Sequence, residues 1–187
     1  LEVVDWDKRY REGFYEGATE PHGLLKKFWS AIPGGPVIDI AMGNGRDAIF
    51  LAGKGVRVWG LEKSGEAIRI AREGSVNTGH SIFIISGDAH SLPFRKGSVA
   101  CVMVFYFLLK GVVEEVVDLL KKGGILIYET FLKRQNKIDR WRNPEYLLDD
   151  GELISYFRTL DLLFYEEAVS SSDGKARAVA KYVGRKK

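Results

Sequence analysis

Apolar residues recur along the chain at two different spacings in turn. Residues 22–32, HGLLKKFWSAI, place Leu24, Leu25, Phe28, Trp29 and Ile32 on one helical face. Pro33-Gly34-Gly35-Pro36 then breaks the chain. The run VIDIA, 37–41, reads as a buried strand, and 45–54 as a helix with Ile49, Phe50 and Leu51 as its apolar positions. Residues 56–61 alternate as a strand does, through Val56, Val58 and Gly60. Ser64 is placed to cap a helix over 65–73. Residues 81–86 and 98–105 read as strands and 111–121 as a helix, and Gly123-Gly124 opens the strand ILIYETF. Asp149 and Asp150 are candidate caps for a helix over 151–158. The last two apolar runs, LDLLFYEEAV and RAVAKYV, flank SSSDGK, whose Asp173-Gly174 is a hairpin signal.

Seven strands alternating with helices predict an α/β fold. The sheet should be mostly parallel, with helices on both faces and an antiparallel hairpin at its C-terminal end. No repeat or linker divides the 187 residues, so one domain over 1–187 is expected. Composition adds little. A net charge of +3 is too small to imply nucleic acid. The single cysteine, Cys101, sits in an apolar run, which suits a reducing compartment. No 18-residue apolar stretch or signal-peptide pattern is found, so a cytoplasmic protein without membrane contact is expected.

The chemistry gathers after the first strand. Gly43-Asn44-Gly45-Arg46-Asp47-Ala48 fits G-x-G-x-x-A, and Glu62 follows about 20 positions later, as in dinucleotide-binding proteins. Three observations argue against NAD. Asp39 precedes Gly43 by four residues and, if the strand runs to Met42, lies near its carboxyl end. A carboxylate there repels pyrophosphate and favours a ligand with a cationic amine. Asp88, just past the third strand, faces the ligand crevice and suits an exocyclic amine. The chain also has little length for a second half to hold nicotinamide and substrate.

The set Asp39-Ile40-Ala41-Met42-Gly43-Asn44-Gly45, Glu62 and Asp88-Ala89, with the passage LLKKGGILIYETF, resembles the class I S-adenosylmethionine-dependent methyltransferases. Ala41 stands where the family pattern D/E-x-G-x-G-x-G has its first glycine. The resemblance implies a Rossmann-like methyltransferase domain, with 1–33 as N-terminal lid and helix and 34–187 as cofactor-binding core. It implies S-adenosylmethionine as cofactor and S-adenosylhomocysteine as product. The loop Ala41 to Gly45, with Asn44, would approach the methionine part and ribose; Glu62, beside Lys63, would hold the ribose hydroxyls. Asp88 and the Ala89 backbone would hold adenine, with Trp6, Tyr10 and Phe105 around the cofactor. DWDKRYREG and EPHGLL near the start, and YETF, NPEYLLDDGEL and YFRTLDLLFYEE near the end, are similar to the tellurite-resistance and thiopurine-type branch, whose members methylate small soft nucleophiles. In such relatives Asp often stands at the position of Ala100.

The acceptor should sit after the fourth strand, at Phe105-Tyr106-Phe107-Leu108. Tyr106, His22 and Glu129 are the catalytic candidates, and no metal is expected. The basic run KRQNKIDRWR, 133–142, is either a solvated loop or a lure for an anionic acceptor or RNA. The expected function is methyl transfer to a small thiol- or chalcogen-type acceptor by a monomer or weak dimer. The alternatives are an acceptor on a protein lysine or RNA, and a non-enzymatic cofactor-binding or NAD-binding module.

Overall fold

The computed structural model describes residues 4–108, 110–139, 142–172 and 175–187. Its centre is β1 (Val37–Ile40), paired in parallel with β2 (Val58–Glu62) on one side and β4 (Val99–Phe105) on the other. Every residue of β1 and β4 is buried, as a strand covered on both faces requires. β3 (Phe83–Ser86) extends the sheet beyond β2, and β5 (Leu120–Phe131) beyond β4, both in parallel. β7 (Lys175–Lys186) then runs antiparallel between β5 and β6 (Leu160–Ser172). The order β3-β2-β1-β4-β5-β7-β6 is the expected seven-stranded sheet with its antiparallel hairpin. Asp173-Gly174, the hairpin signal, lies outside the described residues.

Alternate side chains go to opposite layers. Val37, Cys101, Met103, Ile125 and Ile127 pack with Leu24 and Leu25 of α2 (Gly23–Phe28) and Ala48 and Leu51 of α3 (Arg46–Gly53). Ile38, Ile40, Val102, Val104 and Leu126 face Val113, Val116 and Leu119 of α5 (Val113–Leu119) and Leu153 of α6 (Glu152–Tyr156). α4 (Gly65–Thr78) lies beside α3, joined through Met42, Ile68 and Ala71. α1 (Trp6–Arg11) rests on the start of α4, where Asp7 accepts from the Ser64 hydroxyl at 2.5 Å and the Glu66 N–H at 3.2 Å. A carboxylate at that helix N-terminus is favourably placed.

Several boundaries differ from expectation, each for a local reason. β1 stops at Ile40, not Met42, because Ala41 turns to φ 55°. The helix expected over 22–32 stops at Phe28 and tightens into a 3-10 turn, Trp29–Ala31; Ile32, ahead of Pro33, is extended. β2 starts at Val58 and β3 at Phe83, each two residues later than expected. α4 runs five residues past its expected end, because no breaker precedes Gly79, whose φ of 69° closes it. Asp149 and Asp150 do not cap α6: Gly151 precedes it at φ 77°, and the Glu152 side chain accepts from the Asp149 N–H at 2.7 Å instead.

Gly60 shows how tightly this sheet joins the loop after β1. A Cβ on Gly60 would come within 2.0 Å of the Met42 sulfur. Gly60→Ala should therefore destabilise by about 1–3 kcal/mol through overpacking. Thermal unfolding of the single variants and of Gly60→Ala combined with Met42→Ala checks this. The double variant should be less unstable than the two single losses added, by about 0.5–3 kcal/mol; simple additivity would mean that the two residues do not meet.

Candidate functional site

Strand order reverses between β1 and β4, since β2 and β3 lie to one side and β4 and β5 to the other. In such sheets ligands bind in the crevice at the carboxyl ends of the strands flanking that point. Here the crevice is bounded by the loop after β1, the ends of β2 and β3, and the turn after β4.

The loop after β1 is built from three left-handed residues: Ala41 at φ 55°, Gly43 at φ 59° and Gly45 at φ 76°. Glycine adopts this region freely, whereas alanine there costs about 1–2 kcal/mol. The departure from the family pattern at Ala41 is thus accommodated as strain at the mouth of the crevice. Gly43 has a second reason to lack a side chain. A Cβ there would lie 2.5 Å from the Tyr10 hydroxyl, which reaches over the loop from α1. Glu62 holds the loop from the other side. One carboxylate oxygen accepts from the Gly43 N–H at 2.8 Å, and the other from the Lys63 and Ser64 N–H groups, each at 2.8 Å. A carboxylate has about four lone-pair sites, so Glu62 keeps room for one more donor.

Asp39 projects from β1 between Gly60 of β2 and Met103 of β4. It is 2% exposed, and its Oδ2 has no hydrogen-bond partner. Burial, then the nearby Asp47 and Glu62 carboxylates, push its pKa well above the ordinary carboxylate range; Arg46 pulls the other way. A buried polar atom without a partner asks for an explanation, and a cationic ligand group supplies one. Asp88 has the opposite character. It accepts from Lys63 Nζ at 2.7 Å and from the His90 N–H and ring Nδ1 at 3.0 and 2.5 Å. The Lys63 ammonium, then His90, hold its pKa well below the usual range. Ala89 beside it is buried.

The turn after β4 carries aromatic residues. Tyr106 sits at φ 53°, a strained conformation for so large a residue. Its hydroxyl donates to Glu129 at 3.0 Å, and its ring lies 4.6 Å from that of Phe131. Burial, then the Glu129 charge, raise the Tyr106 pKa, so the phenol stays protonated. Phe105 is covered by the imidazole of His22, stacked at 4.2 Å and 10°. His22 in turn is held by Asp47, which accepts from the His22 N–H at 2.8 Å and from Nδ1 at 2.7 Å. The other ring nitrogen, Nε2, is 2.5 Å from an Arg46 guanidinium nitrogen. Arginine only donates, so Nε2 accepts and Nδ1 carries the proton. In this arrangement His22 is a neutral link between Asp47 and Arg46, with no lone pair free to act as a base.

The expected residues thus largely converge. Asp39, Ala41, Gly43, Gly45, Glu62 and Tyr10 meet at the loop after β1, with Lys63, Asp88 and Ala89 at its side and Phe105, Tyr106, His22 and Glu129 beyond. Trp6 does not join them: it is 43% exposed, with the Arg9 guanidinium 5.2 Å from its ring centre. The Asn44 amide donates to the Ala18 carbonyl at 2.8 Å, tying the N-terminal segment to the loop. Nor is 133–142 an open basic loop. Lys133 pairs with Asp149 at 2.7 Å, Arg134 with Asp150 at 3.6 Å, and Arg142 with Asp139 at 2.9 Å. Gln135, fully buried, accepts from the Ala178 N–H at 2.5 Å and anchors the segment to β7. Arg140 and Trp141 lie outside the described residues. Ala100 is buried at the amino end of β4, against Gly35, remote from the crevice. Arg46 and Asp47 were missed as site residues. They stood in the sequence as the variable positions of the glycine motif, and only the approach of His22 from 24 and 25 residues away reveals them. Among the described residues no group of three or more His, Cys, Asp or Glu side chains is placed to hold a metal ion.

This is the Rossmann-like methyltransferase fold. Residues 37–124, from β1 into β5, match the methyltransferase domain family. TehB from Haemophilus influenzae superposes with a TM-score of 0.75 at 16% identity, over 97% of this chain and 67% of that one. A thiopurine S-methyltransferase of Bordetella parapertussis is 39% identical over 69 residues, 34% of this chain and 31% of that protein. An uncharacterized methyltransferase of Synechocystis sp. is 32% identical over 116 residues, 58% of this chain and 53% of that protein. The matches thus span about a third and about half of these relatives.

Asp39 gives a pH test of the site. A carboxyl group whose pKa is raised on folding stabilises the fold fully below its unfolded pKa, about 3.9, and that contribution is lost as pH rises through the folded value. Asp39→Asn removes the loss. The unliganded variant should match the parent near pH 4 and become more stable as pH rises, by about 1–3 kcal/mol at the plateau. Thermal unfolding from pH 4 to 8 would show a Tm difference growing to roughly 2–4 °C per kcal/mol. A difference that stays constant with pH would mean that Asp39 is not a strained buried acid.

Proposed function

We propose that the chain binds S-adenosylmethionine in the crevice after β1 and transfers its methyl group to a small soft nucleophile of thiol or chalcogen type. The buried, unpartnered Asp39 carboxylate beneath a glycine loop, with Glu62 beside it, carries this reading. Such a surface suits the ammonium and sulfonium charges of this cofactor and opposes the pyrophosphate of NAD. The residues fit the group: Asp39 and the Ala41–Gly45 loop would hold the methionine part, Glu62 with its one remaining acceptor site a ribose hydroxyl, and Asp88 with the Ala89 backbone the adenine. The cofactor supplies an electrophilic methyl group, so the protein's part is to position the acceptor and keep water out.

Tyr10 closes over Gly43 and makes residues 4–33 a cover for the cofactor. Phe105, Tyr106 and Phe131 give the acceptor side an apolar, polarisable wall, favourable to sulfur. Of the three candidates, His22 is tied on both nitrogens, the Tyr106 phenol is held protonated, and the Glu129 carboxylate is engaged by the Tyr106 hydroxyl at 3.0 Å. An acceptor that ionises by itself near neutral pH needs no general base. The partial likeness to a thiopurine S-methyltransferase supports the same branch.

Two measurements test the reading. Calorimetry should find binding of S-adenosylmethionine and S-adenosylhomocysteine and none of NAD, and Glu62→Gln should weaken both by roughly 10- to 150-fold, the worth of a charged hydrogen bond. Incubation with radiolabelled cofactor and a panel of thiols, selenite, tellurite, lysine-rich proteins and RNA should label the thiols or chalcogens. Label found only in protein or RNA would reject the small acceptor, and NAD binding without a response to the methyl donor would reject the cofactor.

A further inference from the structure

Arg46 stands among the carboxylates that gather around the loop after β1. Asp39, Asp47 and Glu62 gather around the loop after β1, and Arg46 enters among them from the first turn of α3. Its guanidinium is tied to His22 at 2.5 Å, and His22 is locked by Asp47 and stacked on Phe105. The same imidazole lies 5.2 Å from the Tyr106 ring. Arg46 is thus aimed toward the turn after β4, where the proposed acceptor would sit, and its charge is felt by both Tyr10 and Tyr106. Arg177 approaches the Tyr106 ring as well, with its guanidinium carbon 6.0 Å from the ring centre. The Arg46 side chain is 23% exposed and lines an open hollow of about 300 Å³ with Thr19, Pro21, Phe50, Lys54 and His80.

Arg46 meets His22 through one guanidinium nitrogen, and its Nε lies 3.9 Å from the Asp47 carboxylate, so the donors of the remaining guanidinium nitrogen are not used by these two contacts. An anion reaching Arg46 from the side of the turn after β4 could take them up without disturbing the His22 contact. We propose that Arg46, aimed by the His22–Asp47 pair, is a specificity-determining residue that binds an anionic group of the methyl acceptor. His22 and Asp47 are positioning residues that act through it. The inference rests on the methyltransferase reading and narrows its acceptor to one bearing a carboxylate or similar anion beside the soft nucleophile. Lys133, Arg134 and Arg142 of the basic segment are paired with Asp149, Asp150 and Asp139.

Binding of 3-mercaptopropionate and of its uncharged amide tests the assignment, with and without S-adenosylhomocysteine. The parent protein should prefer the carboxylate by about tenfold or more. Arg46→Gln should abolish that preference, weakening the carboxylate by roughly 10- to 150-fold while the amide and S-adenosylhomocysteine change by less than about threefold. Arg46→Lys, which keeps charge without the planar fork, should recover part of it. His22→Ala should lower the preference although it removes no positive charge, a result that a purely structural histidine would not give. Equal binding of carboxylate and amide by the parent would overturn the proposal. So would a loss of S-adenosylhomocysteine affinity in Arg46→Gln as large as the loss of the carboxylate, because Arg46 would then serve the cofactor. A carboxylate preference that depends on Arg46, without methyl transfer to either thiol even at a pH above the thiol's own pKa, would uphold Arg46 and reject the soft-nucleophile reading alone.

Discussion

The Glu62 carboxylate, accepting the N–H groups of Gly43, Lys63 and Ser64, ties the loop after β1 to the end of β2 and the start of α4. Charge-assisted bonds of this kind are stronger than neutral ones, and three of them converge on one side chain. The loop they hold contains three left-handed residues, one of them an alanine, and would not keep that shape unaided. Everything proposed for ligand binding hangs from it. Gly43 faces Tyr10, Met42 packs into the space left by Gly60, and Gly45 starts α3, which carries Arg46 and Asp47.

The strand and helix pattern could be read from the sequence because the parallel strands are continuous apolar runs and the crossovers end in Gly and Pro. VACVMVF and VIDI have no other reading once the intervening helices are seen. The acidic positions Asp39, Glu62 and Asp88 could be read for the same reason, since each lies at or near the carboxyl end of its strand. Boundaries set by backbone turns were harder. Nothing in Ala41 announces φ 55°, and nothing in Asp149-Asp150 says that Glu152 will reach back to the backbone. Contacts between distant segments were not readable at all. KRQNK looks like a solvated basic stretch, yet Gln135 is buried against β7 and its basic neighbours pair with acids from the next segment.

Charge is arranged in the crevice with a clear polarity. The side under the glycine loop is acidic: Asp39 is buried without a partner for one oxygen, and Asp47 and Glu62 raise its pKa further. Arg46 alone moderates this among the groups acting on Asp39, and it does so while bound to His22. The acidic side suits a cation and the arginine side an anion, so two ligands of opposite charge could lie together at the switch point of the sheet. Transfer between a sulfonium and an anion cancels both charges, so such groups would serve to bring the two ligands together and not to stabilise the transition state.

His22 shows why the imidazole closest to the proposed acceptor is poorly suited to proton transfer. Asp47 takes its Nδ1 proton and Arg46 fills its Nε2 lone pair, so both nitrogens are committed. Protonating Nε2 would place an imidazolium against a guanidinium 2.5 Å away and break the tie that aims the arginine. The same histidine cannot both orient Arg46 and accept a proton from the acceptor. Tyr106 is kept protonated by burial and by Glu129, so of the side chains at the turn after β4 it is the Glu129 carboxylate, held by the Tyr106 hydroxyl, that has an acceptor oxygen to offer.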